Sequence, residues 1–248
     1  MDTSAVLNRI RHHRVSQEPL VELLRSEDRK LCDIVRNCGT WLHIREWLKS
    51  GESRLRNANF CSKFLLCRCC AARRAAKLVV AYAKKVETVQ TLQPRLIPAM
   101  ITLTVKNGDD LEERLLHLKD SWRRMMNAKR RGKSASSTNN VVEWNKVVGS
   151  VRAIEVTKKK QGWHPHIHAF VLLESYVDQR LLSKEWQQFT GDSFVVGITA
   201  CKNGVVSGLI ECLKYASKLT ELQPADVLAV HRAGQGSRFT DPQGLPRG

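Results

Sequence analysis

The run Gly162-Trp163-His164-Pro165-His166-Ile167-His168 holds three of the chain's eight histidines within five residues. In a strand, residues two apart share a face, so His164, His166 and His168 point the same way, followed by Phe170 and Leu172. Ile167, Ala169, Val171 and Leu173 then face the other side, which is expected to be the helix-covered core. Same-face neighbours stand about 6–7 Å apart by strand rise, within reach of one ion. Imidazole is the commonest side-chain metal ligand. On the preceding segment Val151, Ala153, Glu155 and Thr157 share a face, and a hairpin sets Glu155 beside His166 or His168. One carboxylate with two imidazoles leaves open positions on a divalent ion, as catalysis requires. His164 is a further candidate ligand. Magnesium prefers oxygen donors, so the imidazoles tilt the choice from Mg2+ toward Mn2+ or another transition ion. Two plainer readings stand beside this one: histidines on a solvated strand face, and a surface ion pair between Glu155 and a nearby lysine.

A second constellation lies near the C-terminus, in Glu211-Cys212-Leu213-Lys214-Tyr215-Ala216-Ser217-Lys218. At 100° per residue, Glu211, Tyr215 and Lys218 fall on one helical stripe, and Leu209, Cys212, Leu213 and Ala216 on another. Alone, the polar stripe reads as an exposed helix face that includes a tyrosine. Next to a metal site, Tyr215 becomes a candidate nucleophile. A phenol has a reference pKa near 10 and needs electrostatic help at neutral pH, which a divalent ion supplies. Lys218 is placed to stabilise phosphate charge, and Glu211 to act as general base for a later attacking water.

Cys38, Cys61, Cys67 and Cys70 form a candidate zinc set, with Cys67-x-x-Cys70 at zinc-knuckle spacing. Cys69 competes as a ligand, and buried reduced thiols are an equal alternative. Cys32, Cys201 and Cys212 read as small core residues. Lys158, Lys159 and Lys160, together with Lys129-Arg130-Arg131, are candidate phosphate contacts, although a charged run is usually a solvated surface. Trp163 is a candidate for stacking on an unpaired base, or for packing at the start of its strand.

These residues sit in a chain of 248 with 41 basic and 24 acidic side chains, a formal charge of +17. Such an excess suits a polyanionic partner. Hydrophobic residues at 42% and charged residues at 26% are an ordinary globular balance, which excludes a wholly disordered or collagen-like chain. No apolar run approaches the ~20 residues of a membrane span, and the first 30 residues have no apolar leader core. Residues 1–60 read as short amphipathic helices through Leu20, Leu23, Leu24, Leu31 and Ile34. Ala71–Leu92 reads as a long helix stopped before Pro94. From residue 97 the order is strand 97–105, helix 109–131, loop 132–140, strands 148–157 and 164–173, helix 177–189, strand 194–198 and helix 205–219. That β-α-β-β-α-β-α order predicts an α+β fold, a ferredoxin-like or RRM-like antiparallel sheet with helices packed on it. The expected organisation is a helical, cysteine-containing region over 1–95, a catalytic domain over 96–222 and a poorly ordered basic tail over 223–248.

Three stretches in order resemble the rolling-circle plasmid replication initiators of the HUH endonuclease superfamily. Ile101-Thr102-Leu103-Thr104-Val105 resembles the first motif strand. The second motif's His-hydrophobic-His pair falls on His166 and His168. The third motif's nucleophile falls on Tyr215, in Lys214-Tyr215-Ala216-Ser217-Lys218, and Glu211 matches the glutamate one plasmid subfamily uses at termination. The cysteine cluster followed by Arg73 and Arg74 resembles one that the family often carries, although its spacing departs from the pattern. The resemblance implies a nick on one strand of a plasmid origin, a 5′-phosphotyrosine, and priming from the free 3′-hydroxyl. It also implies a host helicase and DNA polymerase as partners, a homodimer as one assembly state, and a bacterial cytoplasmic setting. With one tyrosine in the motif, a two-tyrosine mechanism is not expected. A mobilisation relaxase or single-tyrosine transposase would share the chemistry. A non-catalytic zinc-dependent DNA-binding regulator and a histidine-metal hydrolase without a tyrosine are the rivals from other classes.

Overall fold

A computed structural model describes residues 3–131, 141–215 and 222–245. The chain forms two compact units, Met1–Arg74 with Leu219–Arg232, and Ala75–Lys218 with Ala233–Gly248.

The first unit opens with helices α1 (Thr3–Ser16), α2 (Glu18–Glu27) and α3 (Arg29–Arg36). Pro19 sits in the first turn of α2, where its missing N–H costs nothing. Asp28 starts α3 by accepting the Leu31 N–H at 2.9 Å. Leu20, Val21, Leu24, Cys32 and Val35 bury their side chains. The helices expected up to residue 60 end here. The chain then folds into an antiparallel hairpin, β1 (Leu42–Trp47) and β2 (Glu52–Ala58), turning at Gly51 with φ +66°. Its half-buried side chains Leu42, Ile44, Leu55 and Ala58 alternate with exposed ones. That period of two over a short, charged stretch is easily lost against the helical pattern before it.

Helix α4 (Arg68–Leu92) ends two residues before Pro94, since a residue preceding proline is pushed out of the helical region. The second unit then builds β3 (Ile97–Thr104), α5 (Leu111–Arg131), a 3-10 turn (Trp144–Lys146), β4 (Val147–Lys159), β5 (Gly162–Leu173), α6 (Gln179–Thr190), β6 (Val196–Ala200) and α7 (Gly204–Tyr215). Asp110 caps α5, Asp178 caps α6, and Gly191 closes α6 in the left-handed region at φ +70°. The expected loop Gly132–Asn140 and the helix continuation Ala216–Leu219 lie outside the described residues.

The sheet is antiparallel, in the order β6-β3-β5-β4-β7. Its first four members follow the fourth-first-third-second order of a ferredoxin-like sheet, as the element order predicted. Strand β7 (Thr240–Gln243) adds an edge beside β4, and α8 (Pro224–Ala233) precedes it in the first unit. Residues 224–245 are therefore structured rather than a loose tail. Val227, Leu228 and Val230 give α8 a buried face, and Phe239, 2% exposed, anchors the approach to β7. Pro242 is tolerated because an edge strand has a side without ladder bonds.

Both sheet faces are covered, which corrects the expected one-sided core. Phe170 and Leu172 pack with Val151 and Ala153 against Leu209, Cys212 and Leu213 of α7 and Tyr82, Val86 and Val89 of α4. On the opposite face the Arg152 guanidinium lies 5.3 Å from the ring centre of Trp122 in α5. A central strand buried on both sides reads as a continuous apolar run, and Ala169-Phe170-Val171-Leu172-Leu173 is one. Gly162 begins β5 at φ +93°, where a Cβ would stand 2.5 Å from the Gly108 carbonyl oxygen. Only glycine fits there, and the Gly108–Trp163 bridge closes over it.

Candidate active site

The β4–β5 register sets Glu155 opposite His166, and the β3–β5 register sets Thr102 opposite His168 and Thr104 opposite His166. Glu155 Oε2 lies 2.6 Å from His166 Nε2 and 2.9 Å from His168 Nε2. These three donors form one of the groups able to hold a metal ion among the described residues, with all ligand atoms within 4.8 Å of one another. Ligands at right angles with ~2.1 Å bonds stand about 3 Å apart, so the donor set fits a small divalent ion.

The outer partners orient the rings. His166 Nδ1 stands 3.2 Å from the His164 carbonyl oxygen, a contact that turns Nε2 toward Glu155. His168 Nδ1 meets the Thr102 hydroxyl at 3.2 Å. Burial pushes His168 below the ordinary imidazole value, against the opposing pull of Glu155, which favours the neutral form that binds metals. Burial alone would raise the Glu155 carboxyl. Its hydrogen bonds with His166 and His168 outweigh burial and hold the group at about 2. His164 shares the strand face, its ring 5.2 Å from that of His166, but stands outside the ligand group, and its buried Nδ1 has no hydrogen-bond partner among the described residues.

Helix α7 is docked on this same face. Cys212 Sγ lies 3.3 Å from the carbonyl oxygens of both His168 and Val151, and burial pushes this thiol up to about 12. The predicted apolar stripe Leu209, Cys212, Leu213 thus does face the sheet. Glu211 pairs with Lys214 at 2.6 Å, and its charge reaches His168. Tyr215 is the last described residue of α7, three positions beyond Cys212. Lys218 lies outside the described residues.

Lys158, Lys159 and Lys160 are exposed at the β4–β5 turn. Trp163 is not available in the way a base-stacking residue needs. It is 6% exposed, with the Lys158 ammonium 4.6 Å above its ring, so it packs at the start of β5. The stretch Ile101–Val105 was matched to a motif strand, but neither of its threonines was given a role from the sequence. Thr102 and Thr104 sit two apart on β3, and only the strand pairing links them to the histidine run.

The first unit holds a separate donor set. Cys38 Sγ is 3.6 Å from Cys70 Sγ and 3.4 Å from Cys67 Sγ, and Cys61 Sγ is 3.6 Å from Cys70 Sγ. A tetrahedral ion with ~2.3 Å Zn–S bonds has sulfur–sulfur edges of about 3.8 Å, so four thiolates fit here. The Cys61 and Ser62 N–H groups donate to Cys38 and Cys70 sulfurs at 3.4 and 3.2 Å, with Ser62 strained at φ 60° to do so. Hydrogen bonds from Cys61 and Cys67 hold the Cys38 thiol low, and bonds from Cys38, Cys61 and Cys67 hold Cys70 low. Cys61 and Cys67, as donors, are pushed up. Cys69 turns away toward the Ile10 carbonyl and is not in the group. Arg73 and Arg74 stack over Phe60 and Phe64, at 3.5 and 4.3 Å.

The fold and donor sets define an α+β protein with a candidate metal centre on two adjacent strands of the second unit and a thiol cluster in the first unit. The chain belongs to the Replication protein family, whose profile matches residues 52–245. It is 30% identical over 211 residues to "Protein rep" of Streptococcus pneumoniae serotype 2 (strain D39 / NCTC 7466), covering 77% of this chain and 61% of that protein. "Protein rep" of a Bacillus sp is 26% identical over 163 residues, covering 61% of this chain and 48% of the relative. "Protein rep" of Bacillus amyloliquefaciens is 26% identical over 170 residues, covering 64% and 46%. The chain thus spans about half to three fifths of these relatives' lengths. No solved structure gives a significant match.

Proposed function

We propose that the chain initiates rolling-circle replication of a plasmid by nicking one origin strand and holding its 5′ end on Tyr215. Membership of the Replication protein family supports the setting. The observation that carries the chemistry is the convergence of Glu155, His166 and His168 on the sheet face that α7 covers. Glu155, His166 and His168 would hold a divalent ion, Mn2+ or Mg2+, which supplies Lewis-acid polarisation of the scissile phosphate. Tyr215 Oη attacks phosphorus, the P–O3′ bond breaks, and the 3′ oxygen leaves to take up a proton as the priming hydroxyl. The phosphotyrosine conserves the energy of the broken ester, so strand transfer remains open. Glu211 would accept the proton of a water that later hydrolyses this link, and Lys218 would stabilise charge on the phosphate. Lys158, Lys159 and Lys160 are read as phosphate contacts for the strand near the site. The four cysteines are read as a structural Zn2+ site.

The test is incubation with end-labelled single-stranded origin DNA and Mn2+, followed by a denaturing gel. The intact protein yields a shortened strand and a covalent protein–DNA species. Tyr215→Phe loses both while keeping DNA affinity. Continued nicking by that variant overturns the assignment, and cleavage without any covalent species points to a water-using hydrolase instead.

A further inference from the structure

The β1–β2 hairpin takes no part in the chemistry above. Its inner side carries the half-buried Leu42, Ile44, Leu55 and Ala58. Its outer side carries His43, Arg45, Trp47, Arg54 and Arg56, with the carboxylate Glu52 among them, all exposed. Arg45 stands directly opposite Arg54. Like charges directly opposite are unfavourable, an effect that Glu52 offsets only at Arg54, so an anion lying between the two would be favoured. Arg54 also lies 5.5 Å from the Trp47 ring centre and pairs with Glu52 at 3.1 Å. Trp41 and Trp47 border the patch, 55% and 37% exposed.

The root of this hairpin is held firmly. Asn59 accepts the Trp41 N–H at 2.9 Å and donates to the Asn37 carbonyl at 2.7 Å and the Thr40 hydroxyl at 2.8 Å. Cys38 and Cys61 of the thiol cluster flank that clasp in sequence. A two-stranded ribbon is one of the two elements that the major groove admits. Arginine suits phosphate through its fork of donors.

We propose that the outer face of the β1–β2 ribbon is a second nucleic-acid surface, which grips the phosphate backbone of duplex origin DNA. It rests on the reading of the chain as a DNA-nicking protein, but it concerns binding rather than cleavage. Each phosphate contact contributes about 0.9 to the slope of log affinity against log salt.

Fluorescence anisotropy of the full chain with labelled duplex origin DNA, across a salt series, tests it. Arg45→Ala with Arg54→Ala is expected to weaken duplex binding about tenfold and to reduce the salt slope by about 2. A charge-matched control, Arg25→Ala with Arg36→Ala, uses exposed arginines of α2 and α3 and should leave the slope near the native value. Nicking of a short single-stranded oligonucleotide by the ribbon variant should stay native, which separates this surface from the catalytic reading. Native duplex affinity and slope in the ribbon variant overturn the proposal. So does an equal loss in the control, which would assign the effect to net charge, or a loss confined to single-stranded DNA.

Discussion

The two donor sets differ in what holds them. Glu155, His166 and His168 project from neighbouring strands whose ladder fixes the spacing, and three donors leave room on an ion for substrate. Cys38, Cys61, Cys67 and Cys70 come from the end of α3, the far side of the hairpin and the start of α4, and four sulfurs close the coordination shell. The sheet site stands on a packed core and persists as geometry without help. The thiol cluster joins the end of α3, the segment after β2 and the start of α4, so its ion would be part of the fold. A site that leaves coordination open suits chemistry, and one that fills it suits scaffolding.

The largest expected effect tests that scaffolding role. Structural zinc contributes about 10 kcal/mol or more to folding in small thiolate sites. A thiophilic chelator, or Cys67→Ser, should release one equivalent of zinc and abolish the cooperative melting of the first unit, read by circular dichroism, whereas Cys69→Ser should retain the metal. Equal zinc loss from both variants would break the contrast between the cysteines.

The sheet site should behave in the opposite way, with EDTA removing Mn2+ binding while barely moving the melting temperature of the second unit. Phe170→Ala, in the 0%-exposed core beneath the site, should instead cost about 3–5 kcal/mol of that unit's stability, checked by urea unfolding. A smaller effect sharpens the role of the outer partners. Thr102→Val removes the hydroxyl at His168 Nδ1 and should weaken Mn2+ affinity 10- to 100-fold, read by calorimetry, with the fold intact.

The smallest effect is electrostatic. Burial alone would raise the Asp192 carboxyl, but its hydrogen bond from Arg114 at 2.6 Å, the Lys106 N–H and the His117 charge leave it below the ordinary value. A depressed folded-state pKa stabilises above the unfolded value of about 3.9 and fades as pH falls through the folded one. Asp192→Asn should therefore lower stability modestly at neutral pH, and the difference from the native protein should begin to shrink below about pH 4 and disappear only below the depressed folded-state value. A difference that grows in acid would contradict this pairing.

Much of the second unit was legible because its signals are local. The long α5, capped by acidic residues and ending in Lys129-Arg130-Arg131, and α6 after Asp178 were each placed within about two residues. The β4–β5 hairpin was found, although β4 runs on into Lys158-Lys159 and β5 begins at Gly162, ends next to the turn that carry no apolar alternation. The β1–β2 ribbon and β7 were missed for a related reason: short, polar or proline-bearing strands look like loops until a partner strand completes their hydrogen bonds. The sequence left Trp163 open between stacking and packing because its cover, Lys158 and Gly108, is set by the turn and a cross-strand bridge rather than by its neighbours in sequence.

Sequence alone determined that three histidines share one strand face, that Leu209, Cys212 and Leu213 form an apolar helix stripe, and that Cys67 and Cys70 are spaced for one ion. These features arise from periods of two and 3.6 residues, which any strand or helix imposes. Tertiary structure decided that Glu155 rather than a lysine-paired surface carboxylate meets both imidazoles, that Thr102 stands behind His168, and that Cys38 joins the cluster while Cys69 turns out of it. Those outcomes depend on register and on chain segments brought together from far apart, and local periodicity carries no information about either.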